Sequence, residues 1–301
     1  MANGCCGDFC SLPGCVSLIT GYPNRISPLR CERCGLNPPQ IISPATYSKE
    51  YFLTESDGWA EYLAGKGLTL PPRLQAIWNY LDIRPGLRIL DVGCGRGEIL
   101  VHCGLQNAHS VGIDYSLAAL ELARASIGEI FKTAGNNCFR TPSLILGNAQ
   151  RLPFSDNTFD RVVMSDIVEH LYQNELEFAL MEAHRVLVPG GMLLVHTMPN
   201  LWYYRYGYPL FRSVQRLRGV RLPADPRERY RFREVHVNEQ SPRTLGNTLS
   251  RMGFSRWRVW LYDYRDYASY PPLISFAMRL LTRLPGVKQI FCDDIFAIAC
   301  K

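Results

Sequence analysis

Within five residues the segment SDIVEHLY carries Asp166, Glu169 and His170, and it follows directly on the apolar run FDRVVM. An ordinary helix start needs one capping acid, not two acids and an imidazole. If a helix begins near Asp166, the three side chains fall at i, i+3 and i+4, on one face and close to the carboxyl edge of a sheet. Two carboxylates and an imidazole so placed make half of a divalent-metal site. Simpler uses compete: Asp166 as a cap, Glu169 paired with Arg185 or another arginine, and His170 as a general base or a hydrogen-bonded structural histidine.

A second constellation is RILDVGCGRGEIL, where an apolar strand ends in Asp91 and Gly93, Gly95 and Gly97 open a helix. Glycines at that point let the backbone touch a ligand at the sheet's carboxyl edge, as in nucleotide sites. A dinucleotide fingerprint would want glycine at position 98, but Glu98 stands there, and its charge sits badly beside a pyrophosphate. S-adenosylmethionine has no phosphate and carries sulfonium and ammonium charges, so acids at 91 and 98 favour the methyl donor.

Apolar runs at 87–93, 109–114, 143–147, 159–165 and 191–197 alternate with helical stretches such as SLAALELARASIGEIF and NELEFALMEAHRVL. Strands that are apolar throughout and separated by helices predict a parallel sheet covered on both faces. Ahead of them, Leu74, Ile77, Trp78 and Leu81 recur at helical spacing. After them come a helix in SPRTLGNTLSRMGF and two late strands, WRVWLYDY and DIFAIAC. The 301 residues, 47% hydrophobic and 20% charged, have a globular composition that excludes disordered, fibrous and membrane-spanning classes. No basic, then apolar, leader opens the chain, so the expected location is the cytosol or a membrane's cytosolic surface.

With LDVGCGRG, the acid closing VGIDYS, GNAQRLPFSDNTFDRVV and EAHRVLVPGGMLLV in this order, the sequence resembles the class I S-adenosylmethionine-dependent methyltransferases over roughly residues 70–300. More narrowly it resembles the methyltransferase type 11 group and the ubiquinone-pathway O-methyltransferases. The resemblance implies an α/β Rossmann-like sheet of seven strands in the order 3-2-1-4-5-7-6, the last antiparallel. It also implies cofactor contacts from Asp91, Gly93, Cys94, Gly95, Asp114, Tyr115, Asn148, Ala149 and Ser165. Asp114 would take both ribose hydroxyls, Asp91 the ammonium group, and Ala149 would offer its amide to adenine. Asn148 stands where the family commonly has an acid; its carbonyl can accept from the adenine amine, and it is also a natural turn residue. The stretch around Glu169 and His170 is similar to the DxxEH helix of ubiquinone-pathway and small-RNA 2′-O-methyltransferases, some of which bind Mg²⁺ there. His236, in REVHVNEQSP, is placed to join Asp166, Glu169 and His170 around Mg²⁺ or Mn²⁺, which would chelate and acidify a vicinal diol.

Residues 198–240 form a basic insertion, with nine arginines between Arg205 and Arg233 against Asp225 and Glu228. Guanidinium groups bind phosphate and carboxylate in pairs, so an anionic small acceptor, a glycan or a lipid-phosphate-linked sugar is expected. A net charge of only +6 argues against a nucleic-acid partner. PPLISFAMRLLTRLPG has the pattern of a helix that lies on a membrane or packs against a core or partner. Residues 1–40 hold six of the eleven cysteines. Cys31 and Cys34 have the CxxC spacing of a structural zinc knuckle that Cys10 and Cys15 would complete; the alternative is a flexible tail. The chain thus divides into this segment and a methyltransferase domain at 41–301 with a helical lead at 41–86. The expected reaction is O-methylation of a glycan, sugar or other small molecule. RNA 2′-O-methylation and a non-catalytic cofactor-binding scaffold are the alternatives.

Overall fold

The computed structural model describes residues 42–133, 139–229, 231–263 and 271–301; Cys31 and Cys34 lie outside them. Seven strands form one sheet: β1 (Arg88–Val92), β2 (His109–Asp114), β3 (Ser143–Leu146), β4 (Phe159–Ser165), β5 (Leu187–Thr197), β6 (Arg256–Tyr262) and β7 (Asp294–Cys300). Their order is β3-β2-β1-β4-β5-β7-β6. The first five run parallel, and β7 pairs antiparallel with both β5 and β6. This is the expected α/β Rossmann-like arrangement.

Among the described residues ten helices accompany the sheet: α1 (Lys49–Thr54), α2 (Trp59–Gly65), α3 (Pro72–Leu81), α4 (Glu98–Leu105), α5 (Leu117–Thr133), α6 (Gln173–Val186), α7 (Tyr208–Leu217), α8 (Pro242–Arg251), α9 (Pro272–Leu281) and α10 (Lys288–Phe291). The central strands read as unbroken apolar runs because both faces are covered. On one face Val162, Val195 and Ile295 pack with Leu176 and Leu180 of α6 and Leu245 of α8. On the other, Ile89, Val163 and Phe296 pack with Leu74, Ile77 and Leu81 of α3. Ile77 is fully buried, so its truncation to Ala should cost about 2–5 kcal/mol.

β5 begins ahead of the apolar run at 191–197: Gly190 and Gly191 form an irregularity inside the strand, with the pairing stepping from Phe159↔Leu187 to Arg161↔Met192. The basic insertion folds as a π-type turn over Tyr203–Gly207, then α7, then two short 3-10 turns.

Candidate functional site

At the carboxyl edge, β1 and β2 end side by side with Asp91 opposite Gly112. The chain then turns through Gly93 at φ +73° and Gly95 at φ +52°, conformations that disfavour a side chain. A Cβ on Gly93 would come within 2.8 Å of Ile167 Cδ1. The Gly93 amide donates to the Ile113 carbonyl at 2.8 Å. The Gly95 and Ser116 amides donate to the two carboxylate oxygens of Asp114, at 3.0 and 2.8 Å. One backbone donor on each oxygen leaves further acceptor capacity on both.

This edge is acidic and dry. Burial, reinforced by the Asp114 and Glu98 carboxylates, pushes Asp91 up to about 7. Burial pushes Asp114 up to about 6, against the pull of the Ser116 and Gly95 amides. Such carboxylates gain when a cation or hydroxyl donors arrive. Cys94 lies among them as a buried thiol held well above its ordinary value by burial. Glu98 is neutralised locally by the buried Arg96 guanidinium at 2.7 Å.

One cavity unites Asp91, Gly93, Cys94, Gly95, Asp114 and Tyr115 with Asn148, Ala149 and Ser165, and continues to Glu169, His170 and His236. Asn148 turns its side chain back on the chain, its Oδ1 accepting from the Gln150 amide at 2.9 Å. That is the Asx-turn use the sequence left open.

The segment after β4 departs from expectation. No helix begins at Asp166: the residue has φ +52°, a 3-10 turn covers Val168–His170, and α6 starts only at Gln173. Asp166 is therefore not a member of the candidate metal set. Its Oδ1 meets His196 Nδ1 at 2.6 Å, while Oδ2 pairs with Arg73 and accepts from Ser165 Oγ at 3.2 Å. Glu169 pairs with no Arg185 either; Arg185 binds Glu182 and Asp156. What does assemble is Glu169, His170 and His236, whose ligand atoms all lie within 4.8 Å of one another.

Each of these three groups is held toward neutrality. Burial raises Glu169, while the Thr197 hydroxyl donating to Oε2 at 2.7 Å works the other way. Burial and the neighbouring His236 ring push His170 down to about 3. His236 is lowered by its own burial. His170 Nδ1 lies 3.0 Å from the Val235 carbonyl, which can only accept, and 3.0 Å from the Tyr47 hydroxyl, which can accept or donate; a proton on Nδ1 suits both contacts and leaves Nε2 its lone pair.

The helical lead supplies residues that no motif announced. Tyr47 places its hydroxyl 3.0 Å from His170 Nδ1 and its ring 5.6 Å from Tyr115. Tyr51 packs edge-on against Phe52 and Phe232. The lead is clamped by Arg96, which donates to the carbonyls of Phe52 and Asp57 at 2.7 and 2.8 Å, and by Arg73, which binds Asp57. The only available hints were the aromatic density of the lead and a lone arginine inside GCGRGE. Of the nine arginines between Arg205 and Arg233, none lines the cavity among the described residues; the insertion contributes Met198, Phe232, Val235 and His236.

Such a fold and edge define an α/β enzyme built around an uncharged-linker nucleoside cofactor carrying cationic groups. Residues 90–195 match the family described as "Methyltransferase domain". The chain is 35% identical over 184 residues to a demethylmenaquinone methyltransferase of Symbiobacterium thermophilum, covering 58% of this chain and 68% of that one. It is 27% identical over 185 residues to a demethylmenaquinone methyltransferase of Bacillus cereus, covering 60% and 74%. In fold it is similar to solved S-adenosylmethionine-dependent methyltransferases from Thermotoga maritima and Mesorhizobium loti. The first has TM-score 0.52 and 17% identity, covering 86% of this chain and 100% of that one. The second has TM-score 0.51 and 20% identity, covering 77% and 98%. The chain belongs to the class I S-adenosylmethionine-dependent methyltransferase family.

Proposed function

We propose that the protein methylates a hydroxyl oxygen on a small acceptor with an aromatic, phenol- or quinol-type ring, using His170 as general base. S-adenosylmethionine, when bound, supplies an electrophilic methyl group. Asp114 accepts from the ribose hydroxyls, Asp91 pairs with the ammonium group, and Gly93 and Gly95 leave the backbone bare for close approach.

The observation that carries the reading is the state of His170. In the tautomer that lets Nδ1 donate to the Val235 carbonyl, with the Tyr47 hydroxyl beside it, and with the ring held neutral by burial, Nε2 can take the acceptor's proton. Tyr47, Tyr51, Tyr115 and Phe232 surround that position with ring faces and edges. Flat apolar walls favour a ring over a highly hydrated acceptor. None of the insertion's arginines that motivated an anionic glycan lines the cavity, and the relatives named for demethylmenaquinone support the ring instead. The test is methyl transfer from labelled cofactor to a panel of quinols, catechols and glycans. Labelled glycans with unlabelled phenols would reverse the assignment.

A second reading rests on the close approach of Glu169, His170 and His236. Metal ligands must be deprotonated, and both imidazoles are already held so. With Asp166 engaged elsewhere the set is two imidazoles and one carboxylate, better suited to Mn²⁺, Fe²⁺ or Zn²⁺ than to Mg²⁺. An ion there would acidify the acceptor hydroxyl. Activity that survives exhaustive chelation would leave the metal-free base.

A further inference from the structure

Two helices display apolar stripes outward. On α7 and the turn before it, Tyr206, Leu210, Val214 and Leu217 recur at steps of four and three and are all exposed, Leu217 by 89%. On α9 no residue is buried, and Leu273, Phe276 and Leu280, followed by Leu284 just past its end, form a matching stripe, with Leu273 79% and Phe276 66% exposed. The start of α7 packs on α10, the helix that follows α9 in the chain. Gly207, at the start of α7, leaves no room for a Cβ against the Ile290 carbonyl of α10. Asn200 ties the same place by donating to the carbonyls of Gln289 and Cys292, at 2.8 and 2.9 Å.

Charge runs alongside the apolar stripes. Residues 203–224 contain Arg205, Arg212, Arg216, Arg218 and Arg221, and residues 271–292 contain Arg279, Arg283 and Lys288, with no acid in either stretch. Among the described residues no carboxylate pairs with Arg212, Arg216, Arg218 or Arg221. None of the described helices is long and apolar enough to cross a membrane.

We propose that α7 and α9 form a docking surface for the anionic headgroup face of a lipid bilayer, with the leucines and Phe276 entering the interface and the arginines meeting phosphates. A second copy of the chain fits less well, because a self-complementary contact would oppose arginine to arginine. Nucleic acid would satisfy the arginines but leave the exposed leucines unburied. The insertion that carries α7 also supplies Met198, Phe232 and His236 to the cavity, so the docking surface and the acceptor pocket share one segment of chain. The proposal does not depend on the acceptor's identity.

The test is sedimentation of the full chain with vesicles of phosphatidylcholine alone and of phosphatidylcholine mixed with phosphatidylglycerol. Binding should need the anionic lipid and weaken with salt. It should fall about tenfold or more in both L217S/F276S and R212Q/R216Q, while S-adenosylmethionine affinity and circular dichroism stay at the parent's level. Equal binding by the parent and both variants, or no binding to anionic vesicles at low salt, would overturn it. So would a dimer in light scattering that L217S/F276S dissociates, or binding to RNA without binding to vesicles.

Discussion

Replacing Asp114 by Ala removes the carboxylate at the end of β2 on which the cofactor assignment turns. In the free protein its two oxygens each accept one amide, from Gly95 and Ser116, and each keeps capacity for a ribose hydroxyl. Hydrogen bonds to a charged acceptor contribute about 1.5–3 kcal/mol each, so losing two should weaken S-adenosylmethionine binding by about 10²- to 10⁴-fold. The fold should tolerate the change. With its pKa raised from 3.8 to about 6, ionised Asp114 costs the folded state roughly 3 kcal/mol at pH 8. Its removal relieves that cost while stranding two amides at about 1–3 kcal/mol each, and these nearly offset. Calorimetric titration of the variant should therefore show a lost affinity in a protein whose melting temperature has moved by only a few degrees. Unchanged affinity would refute the reasoning, because the ribose would then have to lie elsewhere.

Three further outcomes follow from the same geometry. Asp91 and Asp114 have folded pKa values raised to about 7 and about 6, so the ionised forms that bind the cofactor are lost as pH falls through those values. The dissociation constant for S-adenosylmethionine should rise between about pH 8 and pH 5, and a flat titration would contradict it. For folding the sign is opposite: the raised values stabilise the folded state fully below the unfolded pKa, and that contribution is lost as pH rises through the folded ones. Arg96→Met strands the buried Glu98 and frees the Phe52 and Asp57 carbonyls, and should cost about 3–5 kcal/mol in denaturant unfolding; a loss of under about 1 kcal/mol would mean the clamp is not formed. Chelation should abolish turnover if Glu169, His170 and His236 hold an ion, and leave it intact if His170 acts alone.

The sheet was legible because doubly covered strands are apolar at nearly every position, as VVM of β4 and IFAIAC of β7 are. The glycine loop was legible because only glycine adopts the positive φ of Gly93 and Gly95 at little cost. Helical spacing misled at Asp166: a left-handed residue breaks the period, and the side chain swings to Arg73 and His196. No local pattern could announce those partners, which lie on α3 and β5. Nor could it reveal Tyr47, which reaches His170 across 123 residues of chain. The arginine run was visible as charge, but which way it faced depended on the junction of Gly207 with α10, a packing fact with no sequence period.

The central claim is that His170, a neutral imidazole with a free Nε2, takes the proton from a ring hydroxyl as methyl transfer occurs. Mass spectrometry of quinol acceptors after incubation with S-adenosylmethionine tests this most directly, comparing the parent with His170→Gln at matched cofactor occupancy. The account predicts an O-methylated product from the parent and a turnover lower by about 10²- to 10⁴-fold in the variant, with S-adenosylmethionine affinity unchanged. Equal product from both proteins would contradict it.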